Sequence, residues 1–220
     1  MTITLVFLGV IMATVIGWLL RQTLNTQPWV PAAVDDADSG ASLDTNTKTI
    51  ALSTFLAVAT SVFALFISAY TLRMQQPDWR PLAEPTLLWA NTGFLVLASI
   101  AYHLTRNAAV RGLSTRLKPG LAISGLLTFM FLVGQLIAWQ QLTASGYYLS
   151  SNPANAFFYL LTAVHGLHML GGMWVWARST IKVWTGAEAD SVRLSIELCT
   201  VYWHFLLLVW IVLFGMLLST

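Results

Sequence analysis

Charge is the scarcest thing in this chain. Only 9% of its 220 residues are Asp, Glu, Lys or Arg, against roughly 25% in soluble domains, which excludes an ordinary soluble class at the outset. Cysteine is nearly absent as well. Cys199 stands alone, which rules out an intrachain disulfide and any cysteine-rich metal or iron–sulfur site. A concentrated basic patch is also missing. The net charge is +2 and the cations are spread over loops, so no nucleic-acid partner is expected. What fills the chain instead is hydrophobic residues, 57% of it. The longest polar stretch, residues 21–48, is too short and too poor in apolar side chains to fold alone.

Six apolar stretches are long enough to cross a bilayer core of about 30 Å, which takes about 20 residues at a rise of 1.5 Å. They run near Ile3–Leu20, Ile50–Leu72, Leu87–Leu104, Leu121–Trp139, Phe157–Ala177 and Ile196–Leu218. Each is apolar nearly all round, as a lipid-embedded helix must be. The expected fold is therefore an all-α membrane protein of about six transmembrane helices. The breaks carry turn residues: Gln76-Pro77-Asp78, Pro81, Pro85, Lys118-Pro119-Gly120 and Asn152-Pro153. This divides the chain into an extra N-terminal helix over 1–20, an acidic polar loop over 21–48 and a helical membrane domain over 49–220.

Loop charges set the orientation. Residues 106–118 hold Arg106, Arg111, Arg116 and Lys118 with no acid, and residues 178–195 hold Arg178, Lys182 and Arg193. Two spans separate these connections, so both are assigned to the cytoplasmic side, and the uncharged residues 140–156 to the opposite one. Both termini then lie outside. Arg21 follows the first span and no basic residue precedes it, the reverse of a signal peptide, so an uncleaved anchor is expected.

Ionisable side chains inside a span are costly to bury, and each needs a reason. His165 and His168 stand at helical i,i+3 spacing, and His204 lies within Val201-Tyr-Trp-His-Phe205. By helical rise, His168 and His204 sit roughly 14 Å and 12 Å from the cytoplasmic ends of their spans, nearly level. One reading makes the histidines metal or haem ligands. The other makes them polar ties between helices. No carboxylate lies level with the pair to orient the rings, and Gly171 and Gly172 point to close helix approach. The second reading is preferred, with His204 fixing how spans five and six pack. Glu197 is expected to meet Arg193 four residues earlier, or to reach Arg178 and Lys182. His103, near a span end, is placed at the membrane interface. Trp89, Trp139, Trp174, Trp176 and Trp203 are assigned to aromatic belts. The neutral residues Thr60, Ser61, Ser68, Asn91, Thr92, Ser99, Ser124, Thr128, Gln135 and Thr162 are assigned to interhelical hydrogen bonds or small-residue packing. With no Asp, Glu, Lys or Arg in a central span, a lone ion-coupled transporter is disfavoured.

Several stretches taken in order resemble subunit III of the haem–copper terminal oxidases, the cytochrome c oxidase and quinol oxidase family. They are Ser68-Ala-Tyr-Thr-Leu-Arg73; Leu88-Trp-Ala-Asn91-Thr92 with Ser99; Phe131, Gln135 and Trp139; Phe157 to His168; and Glu197 with Tyr202-Trp203-His204-Phe205 and Trp210. The likeness runs from about residue 50 to the C-terminus. It implies a subunit without its own cofactor in a bacterial cytoplasmic (inner) membrane. Haem and copper are then expected in partner subunit I, with copper in subunit II. The last five spans would form a bundle with a lipid-filled cleft, packed on subunit I. The implied roles are stabilising that subunit and sustaining its proton uptake while oxygen is reduced to water. On this likeness no residue here is catalytic or metal-binding, and His165, His168, Glu197, Trp203 and His204 form a structural polar core. Arg73, Arg178 and Lys182 become candidate contacts for phospholipid headgroups.

Two departures stand out. The family's membrane glutamate, expected near Ala59 or Thr60, is missing, and the acid usual after Trp-His-Phe is Leu207 here. Proton handling through those carboxylates is not carried over. Residues 1–48 fall outside the likeness, which motivates an extra small subunit or supercomplex contact there. Remaining alternatives are a quinol oxidase subunit III, a subunit III-like accessory protein of a nitric oxide reductase, and a stand-alone bis-histidine haem protein.

Overall fold

The structure, a computed structural model, describes residue 17 and residues 39–82, 86–186 and 189–219. The expected first span and most of the acidic loop lie outside the described residues. The described residues from 39 onward form five helices: α1 Ser39–Arg73, α2 Leu87–Val110, α3 Ser114–Ala144, α4 Pro153–Trp184 and α5 Ala189–Leu218. All five are long and apolar enough to cross a membrane, and no strand occurs among the described residues. With 31 residues, α3 is about 46 Å long and so outruns a bilayer core of about 30 Å. Helices here exceed the spans they contain.

That excess corrects two expected boundaries. Residues 39–48, read as loop, are the start of α1; neither glycine nor proline interrupts the sequence from 41 to 73. The break expected at Lys118-Pro119-Gly120 falls instead at residues 111–113, and Pro119 lies inside α3. The turn is made by Gly112, whose φ of 68° suits glycine. Its N–H donates to the Ala109 carbonyl at 3.1 Å and the Leu113 N–H to the Ala108 carbonyl at 2.9 Å, the crossed pair that closes a helix on a left-handed residue. Pro119, so near the start of α3, forfeits a single backbone bond. The same device ends α3 at Gly146, with φ 85°. α4 then opens on Asn152, whose side chain accepts from the Ala154 N–H at 3.2 Å, with Pro153 in the first helical position.

The chain divides into two compact units after Thr71. The first holds α1 as far as Thr71, in which Thr60 and Ser61 donate to the carbonyls of Leu56 and Ala57 within the helix, at 2.7 and 3.0 Å. The second unit contains α2 to α5. Each of these packs on two others, α2 on α3 and α5, and α4 on α3 and α5, which closes a ring of four antiparallel helices. At the end holding residues 111–113, Ala108, Leu117, Leu121, Val183, Val192 and Ile196 form an apolar cluster with Trp176 against it. The apolar window of α5 is 61% buried against 33–44% in the other spans, so α5 is the element on which the polar contacts are assembled.

Candidate functional site

Trp203 and Trp210 are seven residues apart on α5 and therefore share a face; both are wholly buried. Trp203 Nε1 donates to Thr128 Oγ1 of α3 at 3.0 Å, and Trp210 Nε1 donates to Thr92 Oγ1 of α2 at 2.9 Å. Each threonine in turn donates to its own helix, Thr128 to the Ser124 carbonyl at 2.9 Å and Thr92 to the Leu88 carbonyl at 2.8 Å. The hydroxyl thus serves as acceptor and donor together, and neither the indole N–H nor the hydroxyl proton is stranded in lipid. The arrangement occurs a third time between α3 and α4. There Trp139 Nε1 donates to Thr162 Oγ1 at 3.0 Å, and Thr162 donates to the Phe158 carbonyl at 2.7 Å. Trp176 Nε1 donates to the Leu121 carbonyl at 3.0 Å, with its ring over Gly125.

These bonds overturn part of the aromatic-belt assignment. Trp203, Trp139 and Trp176 tie helices together; Trp89 and Trp174 are 61% and 65% exposed, as belt residues are. The reason is the extra helix length. Trp203 lies close to the start of its apolar span, yet α5 begins well before that span does.

The histidines occupy three different settings. His165 is wholly buried, with Nε2 3.1 Å from the Leu206 carbonyl of α5 and its ring between Phe131 and Trp210, at centroid distances of 5.7 and 5.2 Å. His168 is turned away by the three-residue spacing, and its Nδ1 lies 2.8 Å from the Val164 carbonyl of its own helix. The His168 carbonyl accepts from Tyr202 Oη at 2.8 Å. His204 pairs through Nδ1 with Ser99 Oγ of α2, and its exposed ring lies 5.8 Å from that of His103. The expected tie between spans five and six is therefore carried by His165 and Tyr202. His204 binds span six to span three. One residue of helix turns the side chain about 100° from Trp203, out of the buried face. His103, expected at the interface, lies beside His204 within α2.

Of the two glycines beside the histidines, only Gly172 makes a close approach. A Cβ there would stand 2.6 Å from both the Trp203 and the Tyr202 rings, whereas one at Gly171 would meet nothing. Glu197 pairs with Arg193 at 3.0 Å. Arg178 and Lys182, expected just past a span end, belong to the last turns of α4. Arg178 sits 5.3 Å over the Trp174 ring, and Lys182 is in the final turn, where a cation suits the helix dipole. Arg73 grips Asp78 with both guanidinium nitrogens, Nη1 to Oδ1 at 2.6 Å. That hydrogen bond holds the Asp78 carboxyl below its ordinary range. Ser99, Thr92, Thr128 and Thr162 make the interhelical bonds expected of them, while Ser124 donates to its own helix. Asn91 and Gln135 are buried, and their amides meet no hydrogen-bond partner among the described residues. No group of three or more His, Cys, Asp or Glu converges among the described residues.

A closed ring of apolar helices tied to one another by indole–threonine and imidazole–backbone bonds defines an all-helical integral membrane protein. The sequence profile of cytochrome c oxidase subunit III matches residues 52–218. A probable cytochrome c oxidase subunit 3 of Mycobacterium leprae is 33% identical over 157 residues, covering 68% of this chain and 76% of that protein. Cytochrome c oxidase subunit 3 of Synechocystis is 28% identical over 169 residues, covering 73% and 70%. A cytochrome bo(3) ubiquinol oxidase subunit 3 of Pseudomonas aeruginosa is 25% identical over 154 residues, covering 70% and 74%. The chain belongs to the subunit III family of the haem–copper oxidases.

Proposed function

We propose that the chain serves its oxidase as a subunit without its own cofactor, packing on catalytic subunit I, with subunit II also in the complex. It steadies that subunit and sustains its proton uptake during reduction of oxygen to water. The observation that carries this reading is the use made of the intramembrane polar groups. His165 Nε2, His204 Nδ1 and three indole N–H groups are engaged by other helices of the same chain. Groups engaged in this way hold a scaffold rigid. Proton support works through the neighbouring subunit, because the two family carboxylates are missing near Thr60 and at Leu207. Its family points to a bacterial inner membrane, and the loop charges favour both termini on the periplasmic side. Phospholipids belong to the surroundings of the subunit, and the segment 1–48, outside the family match, serves as the contact for an additional small subunit.

The test is to purify the intact complex and determine its haem and metal content with and without this chain. Haem and copper should stay with the other subunits, and the complex lacking this chain should lose oxygen consumption sooner under sustained turnover. The substitutions H165A and H204A should weaken assembly without removing any absorbance band. A Soret band carried by the isolated chain and abolished by either change would defeat the proposal. A second reading, a quinol oxidase subunit III, is favoured by the Pseudomonas relative. Oxidation of quinol but not of reduced cytochrome c by the purified complex would select it.

A further inference from the structure

The turn between α2 and α3 borders an open cavity that the polar core does not use. It measures about 370 Å3, and its lining includes Leu104, Asn107, Arg111, Leu113, Arg116 and Gly120. Thr105 also lines it and lies against the backbone of Gly120, an approach that a Cβ would forbid. Its outer wall is apolar, since Leu104 is 63% exposed on a membrane-spanning helix. The charge is one-sided. Residues 106–118 carry four cations and no acid. Arg111 and Arg116 are exposed and make no ion pair or side-chain hydrogen bond with any described residue.

Two unpaired guanidinium groups on one cavity at the end of a span match a phosphodiester, whose oxygens accept the paired N–H groups of arginine. The first turn of α3 adds positive potential of the same sign. The exposed Leu104 beside them matches an acyl chain, which free phosphate lacks. We infer that this cavity holds the headgroup phosphate of an anionic phospholipid, with Arg111 and Arg116 as its donors and Leu104 flanking the chain. The site is separate from Arg73, Arg178 and Lys182, and it rests on the membrane placement of the chain, not on its oxidase role.

The intact complex in nanodiscs, offered a photoactivatable phosphatidylglycerol, should crosslink within residues 104–120. Unlabelled phosphatidylglycerol should compete and phosphatidylcholine should not. R111Q/R116Q should weaken capture about thirty-fold, at roughly fivefold per cation. N107W, which fills the cavity at unchanged charge, should weaken it too. R106Q/K118Q should weaken it less than either. Equal weakening by R106Q/K118Q would overturn the inference by reducing it to general surface attraction. Displacement of the probe by inorganic phosphate would replace the lipid with a free anion. Loss of an oxidase subunit instead of lipid from R111Q/R116Q would assign the cavity to a protein partner. Capture is read on this chain alone, so it stands or falls apart from any change in oxygen consumption.

Discussion

The two ends of the four-helix unit are turned by the same backbone device and finished in opposite ways. Beyond α3, where Gly146 turns the chain, three polar side chains are engaged internally. Tyr159 Oη donates to the Tyr147 carbonyl at 2.9 Å, and Asn155 Nδ2 reaches the Tyr148 carbonyl at 3.1 Å and Ser151 Oγ at 3.0 Å. Asn152 joins the backbone of Arg80 through both ends of its amide. Beyond α2, the Gly112 turn satisfies its backbone equally well, but the side chains of Arg111 and Arg116 border a cavity with no partner among the described residues. Both ends border a cavity, but the one lined by Trp139, Leu149 and Tyr159 holds no cation, whereas the one at Gly112 is lined by two arginines.

The comparison can be broken first at the level between the ends. W203A removes a wholly buried indole and its bond to Thr128. It should cost about 3–5 kcal/mol, and hydrogen exchange should rise at both ends together. Loosening confined to one end would mean that the ends do not share a core. A matched pair of asparagines sharpens the contrast. Asn155 is 1% exposed and donates two bonds, so N155L should lose about 1–3 kcal/mol of stability in a thermal or denaturant titration. Asn107, half-buried at the other end, should tolerate N107L within about 0.5 kcal/mol. Y159F, which deletes only the bond to Tyr147, should cost about 1 kcal/mol by the same measurement.

The smallest effect belongs to the pair of Arg73 and Asp78. The folded-state pKa of Asp78 is lowered by its bond to Arg73, so its contribution is present above the ordinary carboxylate pKa. It is lost as the pH falls through the lowered folded value. Exchange in residues 74–80 should therefore rise on acidification below the ordinary carboxylate range. In D78N it should be raised already at neutral pH and change little with acid.

Spans two to six were legible because membrane-length apolar runs have no other use, and α1 to α5 contain them. The helix ends were not, because hydropathy marks where lipid begins and ends while helices run on past it. The misplacement of Trp203 follows from that difference alone. Asn152-Pro153 was legible as a break because its capping chemistry is local. The partner of His204 was hidden for another reason. α5 touches both α2 and α4, and no pattern within α5 says which neighbour a given face will meet. The threonines were legible only as polar groups needing a bond; that each would receive an indole depended on the register between helices. Arg111 and Arg116 read as a topology signal, and nothing in their spacing disclosed a cavity.

The tightness of the turn at Gly112 bears on how the chain is made. α2 emerges first and carries Asn91, Thr92, Ser99 and His103 on a helix that lipid alone would solvate poorly. α3 follows after residues 111–113 and supplies the backbone of Gly134 against Asn91 and of Gly120 against Thr105. A connection that short leaves no room for α2 to wander before α3 arrives. The hairpin of α2 and α3 therefore shelters Asn91 and Thr105 as a local unit, whereas Thr92, Ser99 and His103 find their partners only on α5, the last helix made.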